Sequence, residues 1–183
     1  MKKVTREEIR TAAEYANVRD AFRRDIMRQK EQRRVHLGSH LTFLFENHDT
    51  VLYQIQEMIR AEGMTGDREI QHEMDTYNEL LGERGELGCT LLIEIEDAAK
   101  RNELLTRWTN LPSTLYMVTQ NGQRQPAEFD ARQVSDGRIS SVHYLKFRVG
   151  DRVPQKLGCS HPDIATETTL TTEQIAALCR DLL

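Results

Sequence analysis

The sequence predicts an α+β protein: a mainly antiparallel sheet packed by helices, preceded by a basic helical segment. Two observations carry this. Apolar residues recur with a helical period in some stretches and with a period of two in others. The helical stretches are also grouped around hairpin signals, Asn121-Gly122 above all, which suits antiparallel pairing. There is no internal repeat and no low-complexity linker, so residues 1–183 are read as one α+β domain. Within it, 1–34 form the basic helical segment and 40–183 the mixed body.

Taken in order, Thr5 followed by Glu8 spells a capping box, predicting a helix to about Ala16. Val18, Phe22 and Ile26 repeat every four residues and predict a second helical segment to about Arg34, packed along one narrow face. Gly38-Ser39 ends it. From His40 the period changes to two, with Leu41, Phe43 and Phe45 on one face of a strand. Asn47 or Asp49 caps the next helix, whose apolar face is Val51, Leu52, Ile55, Met58 and Ile59. A third helix from about Asp67 presents Ile70, Met74, Tyr77 and Leu81. Cys89–Glu96 alternates as a strand does, and Asp97 caps a helix predicted to run through Leu111, stopped by Pro112.

Leu115–Thr119 enters the hairpin at Asn121-Gly122, and Pro126 pushes Ala127–Ala131 towards a sheet edge. Ile139–Val149 is the longest strand expected, followed across Gly150-Asp151 by Val153–Cys159. Thr171 or Thr172 caps a last helix bearing Ile175, Leu178 and Leu182.

Composition narrows the function classes. Apolar residues make up 38% and charged residues 30%, which fits a helical, well-solvated protein. Residues 1–34 hold eleven Lys/Arg against six Asp/Glu, a net +5 that leaves −9 on the rest of the chain. Such a basic arm can contact nucleic acid, or dock on its own acidic body or on a dimer partner. Nucleic acid is disfavoured, because the arm lacks the interleaved aromatic residues that stack bases. Cys89, Cys159 and Cys179 are odd in number and widely spaced, with no CxxC, arguing for a reducing compartment. No secretory signal or membrane-length apolar run appears, so the expected location is cytoplasmic.

Four constellations are candidates for chemistry. Glu46, Asn47, His48 and Asp49 lie where a strand gives way to a helix, a place where ligands and anions bind. Glu73 falls beside the apolar face near Tyr77 and Leu80, so a ligand or partner surface is expected to include Glu73 and Tyr77. Glu69 and His72 form an ExxH, as in di-iron carboxylate bundles, but the second ExxH is missing and helical angle places His72 outside. His72-Glu73 also opens like a zincin motif, but position 76 is threonine.

Finally, a three-residue loop at Gly150, Asp151 and Arg152 would pair Val149 with Val153 and set His143 opposite Cys159, with His161 diagonal. His143, Cys159 and His161 would then be acceptable zinc or iron ligands; a two-residue loop dissolves the cluster. No GxSxG is present, and no catalytic residue is assigned.

The phrases LTFLFENHDTVLYQIQEMIRAE, IQHEMDTYNELL, ELGCTLLIEIED, SSVHYLKFRV and LGCSHP resemble, in this order, an uncharacterised bacterial family, domain-of-unknown-function family 3501. The resemblance covers nearly the whole chain. It brings no catalytic residues and implies a setting near iron or peroxide chemistry, beside rubrerythrin-like or iron–sulfur oxidoreductases. The function expected is therefore an accessory or binding protein of such a redox system, with a redox protein as partner and a homodimer as a further state. The alternative is a metal-binding protein or small metal-dependent enzyme using a His/Cys/Glu cluster.

Overall fold

The computed structural model describes residues 1–130, 134–135 and 137–183. The architecture is α+β. A 3-10 turn (Arg6–Glu8) leads to α1 (Ala12–Glu31), followed by β1 (Arg34–Leu37), β2 (Leu41–Phe45), α2 (His48–Glu62), α3 (Asp67–Asn78) and β3 (Glu86–Ile93). Then come α4 (Ala98–Arg107), β4 (Leu115–Thr119), β5 (Arg124–Phe129), β6 (Val134–Ser135), β7 (Arg138–Ile139), β8 (Val142–Arg148), β9 (Pro154–Cys159), β10 (Thr166–Thr169) and α5 (Thr172–Asp181).

Eight strands form one sheet in the order β1-β2-β3-β8-β5-β4-β9-β10, with every ladder antiparallel. The sheet curls until its two edges meet and is nearly a closed barrel. At the seam a Cβ on Gly38 would lie 3.6 Å from Thr166 Cγ2, and Gln174 Nε2 of α5 donates to Arg34 O at 2.6 Å. The barrel is filled by inward residues such as Leu41, Phe43, Phe45, Leu91, Leu145, Phe147 and Leu157. Leu104, Leu105 and Trp108 of the α4 region and Leu178 of α5 join the same core. A second apolar cluster lies in the helical layer: Val51, Ile55 and Ile59 of α2, Ile70 and Met74 of α3, and Val4 and Ile9 of the opening segment.

Local signals set the helix starts. Asn47, Asp97 and Thr171 each accept from a backbone N–H of the first turn, as their side-chain chemistry demands. Several expectations need correction. The Thr5–Glu8 capping box is present, but it opens only a 3-10 turn; α1 starts at its own box, Thr11 and Glu14, and runs unbroken to Glu31. Residues 34–37, expected to end a helix, form β1, and His40 lies in the β1–β2 turn that Gly38 makes at φ +62°. The helix after Asp97 ends at Arg107, and a 3-10 turn over Leu111–Thr114 takes Pro112.

Two corrections concern the sheet. Pro126 does not mark an edge: β5 lies inside the sheet, pairing with β4 through 124–126 and with β8 through 127–129, so Pro126 sits where the partner changes. Ala131, the expected end of that strand, lies outside the described residues. The expected hairpin 139–161 does not form either. β8 pairs with β3 and β5, whereas β9 pairs with β4 and β10. Residues 149–153 instead cross from one strand to a strand three places away. Three inter-strand steps span about 14 Å, within the ~16 Å reach of five extended residues.

Gly88 fixes where the helical layer sits. A Cβ there would come 1.8 Å from Leu80 O, so the chain leaving α3 passes directly over β3. That close passage holds the C-terminal end of α3 against the outer face of the barrel.

Candidate functional site

The Glu46–Asp49 turn is a knot of polar groups, bonded to one another except at His48 Nε2, which is buried without a hydrogen bond. Asn47 Oδ1 accepts from Thr50 N at 2.9 Å, and Asn47 N donates to Thr50 Oγ1 at 2.9 Å. The buried Glu46 carboxylate accepts from the hydroxyls of Thr50 (2.6 Å) and Thr90 (3.0 Å). Gln29 of α1 donates to Asp49 at 3.0 Å and accepts from Asn47 Nδ2 at 3.1 Å. His48 lies between two carboxylates, with Nδ1 3.2 Å from Asp49 Oδ1 and Nε2 3.1 Å from Glu8 Oε1, the latter too poorly aligned for a hydrogen bond. Burial pushes the Asp49 carboxyl up, but hydrogen bonds from Gln29 and His48 outweigh it and leave its pKa lowered. Close by, Arg33 grips Asp181 with two bonds of 2.8 and 2.9 Å, both side chains nearly inaccessible. The turn therefore joins α1, α2, α5 and the opening segment, and its polar atoms are largely occupied in doing so.

Of the proposed metal residues, Cys159 and His161 lie together, His161 N donating to Cys159 Sγ at 3.4 Å, whereas His72 and His143 sit on other elements. His72 is exposed on α3, as its helical angle requires. His143 of β8 is opposite Leu91 of β3, and Cys159 of β9 is opposite Leu115 and Thr166; β5 and β4 separate the two strands. The His143–Cys159 pairing expected from a three-residue loop is thus overturned. His143 Nε2–H donates to Ser140 O at 2.9 Å, while Nδ1 is buried without a partner. Burial lowers its pKa, so the ring is neutral at neutral pH. His161 Nδ1 accepts from Asp163 N at 3.2 Å, and its ring meets Trp108 edge-on at 6.3 Å. Cys159 Sγ contacts the Thr114 hydroxyl at 3.5 Å. Among the described residues, no group of three or more His, Cys, Asp or Glu side chains is placed to hold a metal ion.

Glu73 and Tyr77 have a different setting. One turn apart on α3, they line a cleft of about 760 Å³ together with Leu80. Met58 of α2, Phe129 at the end of β5 and Tyr144 on the outer face of β8 extend its apolar surface; Cys89 of β3 also lines it. Glu79, Glu83, Glu128 and Asp130 add carboxylates, against the ammonium groups of Lys3 and Lys146. This size and mixture are typical of ligand sites. Glu73 is half-buried and makes no ion pair among the described residues. Tyr144 is 47% exposed, unusual for a large apolar ring. Burial raises the Tyr77 pKa, opposed by a hydrogen bond from Gln54 and reinforced by Glu73. Burial also pushes the Cys89 thiol well up, keeping it protonated and a poor nucleophile.

The sequence offered Glu73 and Tyr77 as candidates; Tyr144, Phe129 and Met58, which line the same cleft, were not among them. For Tyr144 a signal existed: the alternation in VHYLKFR puts it opposite to His143, Leu145 and Phe147, hence outside the barrel. Which helix approaches that outer face was not legible.

The family model described as "Protein of unknown function (DUF3501)" matches residues 3–182. The chain belongs to this family. It is also similar to a solved structure titled as a novel protein of unknown function from Burkholderia pseudomallei K96243. The identity is 28%, each chain is covered completely, and the TM-score is 0.91. None of the curated proteins matches the chain. No helix among the described residues is long and apolar enough to cross a membrane.

Proposed function

We propose that this protein is a binding module whose ligand occupies the cleft between α3 and the outer face of β5 and β8. The observation that carries the reading is Glu73, a half-buried carboxylate with no ion-pair partner among the described residues, set beside the exposed ring of Tyr144 in one cleft. A carboxylate held so is stabilised by a cation brought by a ligand, and the apolar walls suit a hydrophobic body attached to it. The lining carries more carboxylates than ammonium groups, which favours the same sign of ligand. A cytoplasmic setting as an accessory protein of an iron or redox system is part of this reading; the cleft supports binding itself.

The test uses phenethylammonium and phenylacetate, two probes that share a ring and differ in charge, titrated into protein with labelled tyrosines and followed by NMR. Phenethylammonium shifts Tyr77 and Tyr144 and binds at least about tenfold more tightly than phenylacetate, a difference of about 1.4 kcal/mol. Glu73→Gln removes that preference. Equal affinity for the two probes, or shifts confined to other tyrosines, overturns the reading.

A further inference from the structure

The opening segment is held by an unusual device. Asn78, at the end of α3 and buried, forms two bonds with one residue's backbone: its Oδ1 accepts from Val4 N at 2.8 Å and its Nδ2 donates to Val4 O at 2.9 Å. Gln56, buried on α2, repeats this on Arg10, accepting from its N at 2.9 Å and donating to its O at 3.0 Å. Between these clamps only Val4 and Ile9 are buried, in the apolar cluster of α2 and α3. Amide clamps on backbone with two apolar anchors are how a groove holds a peptide irrespective of most of its side chains.

We propose that this α2–α3 groove is a segment-docking surface that takes the opening segment of a second copy of this chain as readily as its own, giving a strap-exchanged dimer. Three observations favour a second copy as the occupant. The segment carries Lys2, Lys3, Arg6 and Arg10 against Glu7 and Glu8, and the remainder of the chain beyond residue 34 is strongly acidic, so approach in trans is electrostatically favourable. Arg6 already reaches an acid of the groove, Asp67, at 2.9 Å. The segment is also separable from the helix it precedes: Thr11 is extended (φ −62°, ψ 160°) and completes its capping box with Glu14 without help from the groove. Exchange keeps all four clamp bonds and both anchors, and asks for a change at the Arg10–Thr11 hinge and the loss of the Arg10 guanidinium's contact with the Phe22 ring of its own α1, 5.8 Å away. This inference does not rest on the cleft ligand, although Lys3 of the segment borders the cleft.

The experiment mixes two full-length variants. Val4→Asp disables the segment but keeps the groove; Asn78→Ala with Gln56→Ala disables the groove but keeps the segment. Each alone runs as a monomer by sedimentation, the mixture forms a heterodimer, and the association weakens about tenfold or more at high salt. No heterodimer from two folded variants overturns the proposal. Should a variant fail to fold, wild type decides. Equal parts of ¹⁴N and ¹⁵N protein are concentrated and treated with a zero-length carbodiimide cross-linker, and Lys3 links to Glu79 or Glu83 are read by mass. Mixed-isotope links establish exchange; same-isotope links alone refute it.

Discussion

Two polar regions stand out in this molecule, the Glu46–Asp49 turn and the Glu73–Tyr144 cleft, and they differ in how their polar groups are occupied. In the turn, Glu46 is met by two hydroxyls, Asn47 and Asp49 by Gln29, and His48 Nδ1 by Asp49, with His48 Nε2 left without a hydrogen bond. In the cleft, Glu73 makes no ion pair among the described residues and Tyr144 leaves nearly half its surface in water. Polar crowding in a sequence is therefore a poor guide to function by itself. Groups crowded and mutually bonded hold elements together, whereas a half-buried carboxylate with no ion pair among the described residues, as at Glu73, is available to a cation from elsewhere.

The largest effect that would sharpen this contrast is at Arg33. Replacing it with Ala strands the buried Asp181 carboxylate, and a loss of about 3–5 kcal/mol in unfolding free energy is expected by denaturant titration. Glu46→Ala comes next. It takes the acceptor from the Thr90 hydroxyl and the shorter of two from Thr50, which keeps Asn47 O at 3.0 Å, and costs about 1–3 kcal/mol, measured in the same way. A cost at Glu46 near zero would mean that the turn is no structural knot.

A smaller effect is expected in acid. Lys2 beside Glu8, with help from Thr5 N–H and His48, holds the Glu8 carboxyl at about 2; paired with Arg19, Glu57 is likewise held at about 2. Both folded-state values lie below the ordinary 4.5. The stability they contribute is therefore complete above pH 4.5 and is lost as pH falls from there towards 2. Thermal melts across that window should fall less steeply in Arg19→Ala, which removes the largest of the interactions holding the Glu57 carboxyl down, than in wild type. His143 supplies a separate window. Its folded-state pKa is lowered, so its contribution is complete above about pH 6.5 and declines as pH falls below that value, a slope that His143→Phe abolishes.

The smallest effect on stability belongs to the cleft. Glu73→Gln should change unfolding free energy by no more than about 0.5 kcal/mol while removing the preference for phenethylammonium. Large destabilisation by this substitution would erase the distinction between the two regions.

How far the sequence reveals each region depends on the range of the interactions involved. Asn47, Asp97 and Thr171 were legible as caps because a cap is a contact between neighbours in the chain. The exposure of His72 followed from helical angle alone. β1 was hidden because Arg33-Arg34 reads as the solvated end of a helix, and only pairing of residues 34–37 with β2 makes it a strand. The supposed His143–Cys159 pair failed for a related reason. Adjacent strands in sequence are a natural hairpin, yet β5 and β4 occupy the space between β8 and β9.

The amino-acid sequence by itself determined the α+β class, most helix starts, the inward parity of the strands and the family, because periodicity, capping and long phrases are local properties of the chain. The tertiary structure alone decided the strand order, the near closure of the barrel and the meeting of Glu73 and Tyr77 with Tyr144. Those depend on which distant segments bury one another, and above all on Gly88, whose missing side chain lets the chain leaving α3 lie against the barrel and form the cleft.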